Sequence, residues 1–228
     1  MSRSYGQYCG LARALDVVGD RWNLLIVRQL LIAPARYHEL LDGLGGVATN
    51  LLADRLRNLE AAGVVERRVP EEGNAVVYAL TPWGAELREP VEGLIRWSTP
   101  LMARGPGGDR FHPQWLLVAL RALLAGGTAA PPASPVGIAV DGRLLQLRAT
   151  HSGVEVTLHD DGDLDTVVRA DASIVLGLAA GALTLDDARG LVDIDGDEAA
   201  VRALLTPRRI PSASSAADRD APDRSTQG

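Results

Sequence analysis

The stretch ATNLLADRLRNLEAAGVVERR, residues 48–68, holds the side chains best spaced to do chemistry. Leu52, Leu56 and Leu59 recur at helical spacing, so they define one buried stripe, while Asn50, Asp54 and Arg57 fall on the opposite side. Thr49 and Ala53 lie at the N-terminal and outer side of the same helix. An asparagine amide can make two hydrogen bonds to adenine and an arginine guanidinium two to guanine, and a helix N-terminus can accept a phosphate. By periodicity alone the pattern equally fits an ordinary amphipathic helix whose polar face meets only water.

Other reactive side chains do not assemble. His112, His151 and His159 are scattered, without a glutamate at helical spacing, and the chain has no Gly-rich phosphate loop, nucleophile elbow or paired metal-ligand motif. HDDGDLD places Asp161, Asp163 and Asp165 at calcium-loop spacing. The glycine such a loop needs next is Thr166, and the bidentate glutamate is Ala172, so the segment reads as a solvated turn. We therefore expect no metal, no cofactor and no enzyme. Cys9 is the lone cysteine and cannot form an internal disulfide or resolve a sulfenic acid within the chain. A thiol near a helix start with Arg13 one turn away can have a lowered pKa, although a free cysteine is more commonly a small buried apolar residue.

These residues must be positioned by two units. A chain of 228 residues with 46% apolar content supports two cores. No apolar run is long enough to cross a membrane and no secretory leader is seen, so a cytoplasmic protein is expected. The net charge is -6 and there is no lysine; residues 1–104 hold 12 Arg and 12 acids, the remainder 11 Arg and 17 acids. The acidity thus belongs to the second half, and every basic side chain is a guanidinium suited to bidentate contacts. The first half reads as short helices in LARALDVVG, WNLLIVRQLLI, YHELLDGL and the opening stretch. Two strands, VVERRV and AVVYAL, follow with PEEGNA between them, then a helix over about 84–104 kinked at Pro90. GPGG, residues 105–108, is the expected link.

The second half opens with an apolar helix in FHPQWLLVALRALL, Pro113 suiting its first turn. After the loop GGTAAPPASP come three strand-like runs, RLLQLRA, GVEVTLH and TVVRA. A helix ASIVLGLAAG, a shorter one TLDDARG, a strand LVDID and a closing helix capped by Asp197 complete an α+β unit. Residues 207–228, rich in Pro, Ser, Asp and Arg, are expected to be disordered.

A short helix, a Gly-rich turn, a second helix and a hairpin form a winged helix-turn-helix, whose second helix enters the major groove. The fold class expected is thus α+β, with a winged helix-turn-helix at residues 1–104 and a small α+β domain at 110–206. Over residues 8–104 the chain resembles the HxlR family of bacterial winged helix transcription factors, relatives of the MarR group. The motifs that carry the likeness are a cysteine before a helix ending in GDRW, then PARYHEL, then TNLLADRLRNLE followed by GVV, and a closing YALTPWG. The resemblance implies a homodimer on double-stranded DNA, with two recognition helices about one turn apart on a nearly palindromic site. It makes Thr49, Asn50 and Arg57 candidates for reading bases and Arg36 and Arg55 for phosphate or groove edges. In some relatives the cysteine matching Cys9 senses oxidants. The wing tip carries two acids and no base, so hairpin contacts are assigned to Arg67 and Arg68.

Residues 110–206 resemble the sterol carrier protein type two-like domain, through the order of elements and through ASIVLGLAAGALTLDDARGLVDIDGDEAAVRALL. That likeness implies a pocket for an apolar small-molecule effector lined by Trp115, Leu116, Leu120, Leu145, Leu147, Ile174 and Leu178, most of which a domain this small needs simply as core. Two rival readings stand beside a DNA-binding regulator: a carrier of apolar ligands whose helical half only dimerises, and a regulator switched by the Cys9 thiol.

Overall fold

The computed structural model describes residues 4–70, 75–126, 132–150, 153–160 and 162–205. The wing tip, part of the Pro-rich loop, His151, Asp161 and the expected disordered tail lie outside them.

The first half begins with α1 (Gly10–Val18), α2 (Asn23–Ile32), α3 (Tyr37–Leu44) and α4 (Thr49–Ala61), followed by strands β1 (Val65–Arg68) and β2 (Val77–Leu80). The leucine stripe of α4 is fully buried, Leu52 and Leu59 at 0% exposure and Leu56 at 1%, against Ile26, Val27, Leu30, Leu40 and Leu44. Each such leucine contributes about 2 kcal/mol of burial. The helix α2 is buried on most sides, which explains its nearly continuous apolar sequence. The hairpin is antiparallel, with Val65 opposite Leu80 and Arg68 opposite Val77. Ala35 extends it by exchanging backbone hydrogen bonds with Tyr78, at 2.9 and 2.8 Å, and so ties the wing to the start of α3.

The helix expected over 84–104 is three pieces: α5 (Pro82–Ala85), α6 (Arg88–Ser98) and a 3-10 turn over Thr99–Arg104. Thr81 starts α5 as its cap, its hydroxyl accepting from the Gly84 N–H at 2.9 Å while donating to the Gly63 carbonyl at 2.6 Å, and the chain tightens between α5 and α6 where Glu86 and Leu87 bond back three residues to Trp83 and Gly84. Pro90 does not kink α6. It sits in the first turn, where a proline needs no N–H partner.

In the second half a 3-10 turn at Pro113–Trp115 leads into α7 (Leu116–Leu123), whose apolar density is matched by burial of Leu116, Val118, Leu120, Ala122 and Leu123. Five strands follow, β3 (Val136–Val140), β4 (Arg143–Thr150), β5 (Gly153–Leu158), β6 (Val167–Ala170) and β7 (Val192–Asp195), with α8 (Ala172–Ala179) before β7 and α9 (Glu198–Leu204) after it. Their order across the sheet is β5-β4-β3-β6-β7, antiparallel except where β3 meets β6. The central strand β3, VGIAV, is absent from the sequence reading: four of its five residues are buried, so it shows no alternation. TLDDARG is a turn and not a helix, because Thr184 and Asp187 hydrogen-bond each other's backbone and side chains, at 2.6 to 3.1 Å. Asp197 caps α9, accepting from the Ala199 N–H at 2.8 Å.

The two halves share packing. Val118 of α7 belongs to the buried cluster of the first half, and α7 runs along α6. The segment expected to be a bare link thus leads straight into a seam.

Candidate nucleic-acid interface

The exposed face of α4 carries Thr49, Asn50, Asp54, Arg57 and Asn58. Its placement is set from below by the leucine stripe and from the side by Tyr37, whose hydroxyl donates to the Thr49 carbonyl at 2.6 Å. That bond fixes the start of α4 relative to the start of α3. The turn between these helices uses Gly45 and Gly46 at φ 55° and 92°, a left-handed conformation that glycine adopts without a Cβ clash. Thr49 and Asn50 touch through their side chains at 3.2 Å.

The guanidinium groups are less free than the sequence implies. Arg57 shares the outer face but is ion-paired to Asp54 one turn earlier. Arg55 leaves that face: it reaches back to Asp20 in the α1–α2 loop, with its side chain only 21% exposed. In this pairing Arg55 braces α4 against that loop. Arg67 bonds Glu60 at 2.8 Å and Arg68 is paired to Glu66. Arg36 is exposed at the start of α3, where its backbone N–H donates to Glu39 Oε2 at 2.6 Å. The sequence reading missed Asp20 and Tyr37 as positioning residues. Both stand inside quoted motifs, GDRW and PARYHEL, but their partners lie 35 and 12 residues away and no local spacing announces them.

Cys9 is exposed, not buried, and stands at the N-cap of α1. Backbone N–H groups of Ala12 and Leu11 lower its pKa by stabilising the thiolate. Arg13 is turned away toward Ser4 and Asp16.

Six of the seven candidate pocket residues pack into one apolar cluster. Leu116, Leu120, Leu145, Leu147 and Leu178 are at 0–1% exposure in one packed core, with Ile174 against it. Trp115 stands at the seam, edge-on to Phe111 at 6.1 Å. Two depressions lie elsewhere, one polar, beside Glu92, Arg121 and Glu155, the other mostly apolar, beside Pro132, Ala133, Asp165, Asp197, Ala200 and Ala203. None of the seven lines either.

Together the α2–α3–α4 core, the Gly turn and the hairpin define a winged helix-turn-helix protein. Residues 17–105 match the family described as HxlR-like helix-turn-helix. The HTH-type transcriptional regulator YodB of Bacillus subtilis is 35% identical over 86 residues, 37% of this chain and 77% of YodB. The chain belongs to the HxlR-like helix-turn-helix family. The uncharacterized HTH-type transcriptional regulator sll1512 of Synechocystis sp. is 37% identical over 84 residues, and the match spans 36% of this chain and 62% of that protein's length. Among solved structures, the reduced form of YodB is 31% identical, with 43% of this chain and 99% of that one covered at a TM-score of 0.38. The redox regulator HypR in its oxidized form is 28% identical, with 40% and 96% covered at a TM-score of 0.38. Among the described residues no helix is long and apolar enough to cross a membrane.

Proposed function

We propose that the protein is a DNA-binding transcriptional regulator that grips a two-fold symmetric promoter site as a homodimer. The observation that carries this reading is the exposed row Thr49, Asn50, Arg57 on a helix whose other side is fixed by buried leucines and by Tyr37. Asn50 and Arg57 read base edges, Thr49 and the free N–H groups of α4 seat a phosphate, and Arg36 contacts the backbone. Arg67 and Arg68 serve the hairpin side by exchanging Glu60 and Glu66 for phosphate. A dimer face is supported by apolar side chains left in water: Leu11 and Leu15 on α1, and Leu94, Trp97 and Leu101 at helical spacing from α6 onward, Trp97 at 75% exposure.

The second half we read as a sterol-carrier-like α+β unit, on its element order and on the parallel pairing of β3 with β6. The leucines expected to line a pocket are buried in its core, so an apolar effector seated among them would displace core side chains. A second reading, thiol control through Cys9, is favoured by an exposed sulfur at a helix N-cap with a lowered pKa. Cys9→Ser separates it from effector control by removing any oxidant response while leaving the resting DNA affinity.

The test is selection and sequencing of random DNA retained by the full-length protein. A two-fold symmetric motif is expected, lost in the double variant Asn50→Ala, Arg57→Ala while the dimer persists. A folded dimer that enriches nothing, with or without cell extract, overturns the reading in favour of a carrier.

A further inference from the structure

The face that would meet DNA has little net charge of its own. Arg57, Arg67 and Arg68 are held by Asp54, Glu60 and Glu66. A paired guanidinium must give up its carboxylate to take a phosphate, so the gain from counterion release is largest at guanidiniums with no such pair. Around the helix-turn-helix unit, Arg21, Arg36 and Arg110 make no ion pair among the described residues, and Arg21 lies over the Trp22 ring at 5.8 Å.

Arg110 is the unexpected member, since it belongs to the segment between the two halves. That segment is anchored on both sides. Phe111 packs on the second-half core, and the His112 ring stands 4.9 Å from Trp115, whose backbone N–H donates to the His112 carbonyl at 2.9 Å. Toward the first half, Arg110 Nη1 and Cδ come within 3.6 and 3.7 Å of where a Cβ would stand on Gly45, with His112 Nε2 at 3.8 Å. Gly45 opens the turn that runs into α4, and the Arg110 side chain is exposed there. Asp109 is its neighbour in the chain, yet no ion pair joins it to Arg110 among the described residues.

We infer that Arg110 is a DNA-phosphate contact, contributed by the interdomain segment beside the turn that feeds the recognition helix. This rests on the DNA-binding reading above. The guanidinium reads no base; it adds one bidentate phosphate contact per protomer, so a dimer places two such contacts symmetrically about the site. Because the same segment is anchored in the second half, that half takes part in holding DNA without touching a base.

Full-length protein is titrated by fluorescence anisotropy on its selected DNA fragment and on a scrambled one, across about 50 to 300 mM salt. Arg110→Gln is expected to weaken both by a similar factor, roughly 3- to 10-fold, and to flatten the salt slope by about 1.8 for a dimer. Arg110→Lys is expected to restore the slope, which a merely structural brace would not do, and thermal melting confirms that each variant is folded. An unchanged slope in Arg110→Gln, or a loss confined to the selected fragment, overturns the inference while the DNA-binding reading stands. Wild-type protein that binds neither fragment overturns both.

Discussion

Arg28, on α2, holds its guanidinium carbon 4.2 Å from the ring centroid of Trp115, at the head of the second half. Burial pushes the Arg28 pKa down to about 10, and neither Arg28 Nε nor Trp115 Nε1 has a hydrogen-bond partner. A charge is therefore held in the seam by an aromatic face and no carboxylate. Arg28→Met is expected to keep or raise the melting temperature, since an apolar side chain avoids the desolvation of the cation. The sign with pH follows from the depressed pKa: the unfolded chain binds this proton more tightly than the folded one. The desolvation penalty is therefore constant below about pH 10 and is relieved as pH rises toward the ordinary arginine value. The melting difference between variant and wild type should be flat from about pH 6 to 9 and shrink above 10; a lower melting temperature for Arg28→Met would show that the ring contact outweighs desolvation.

Glu92, only 8% exposed, joins the halves from the other side. Its carboxylate accepts from Arg121 Nε at 3.0 Å and lies 4.0 Å from Arg88. Removing it leaves two guanidiniums facing each other, and Arg88 already has a lowered pKa from burial and from Arg121. Glu92→Ala should cost about 2 kcal/mol in urea unfolding, the partial exposure of Arg121 keeping it below the value for a fully buried pair.

Gly84 leaves no room for a side chain. A Cβ there would stand 2.0 Å from the Val64 carbonyl oxygen. Gly84→Ala must push α5 away from the base of the wing, breaking the Thr81 cap, at a cost of about 3 kcal/mol. Hydrogen exchange should show faster exchange at the amides of β1 and β2 than at those of β4; uniform exchange would mean the wing is not locally tied.

A fragment ending at residue 104 should melt lower than the full chain and associate more readily. It would uncover the faces of α2 and α6 that α7 covers and lose Val118 from its core. Light scattering with a melting curve decides this; an equally stable, monodisperse fragment would make the seam incidental.

Much of the first half was legible because α3 and α4 each bury one face, so Leu52, Leu56 and Leu59 announce α4 by spacing alone. The strand β3 was hidden by the opposite circumstance: a strand buried on both faces has no period to detect, and the Pro-rich run before it reads as loop. The start of α5 depended on Thr81 reaching Gly63, a contact across the chain. The row Thr49, Asn50, Arg57 was visible as an exposed face. That Arg55 turns to Asp20 was not, since an ion pair over 35 residues follows from the fold and not from local pattern.

The pairing of Arg57, Arg67 and Arg68 with their own carboxylates gives each guanidinium a resident competitor. On the DNA-binding reading proposed above, a phosphate or a guanine edge would have to outbid that neighbour on every encounter, so random sequence would be released quickly and only a site offering several good replacements together would be kept. Such a surface would move freely along DNA and dwell where it fits.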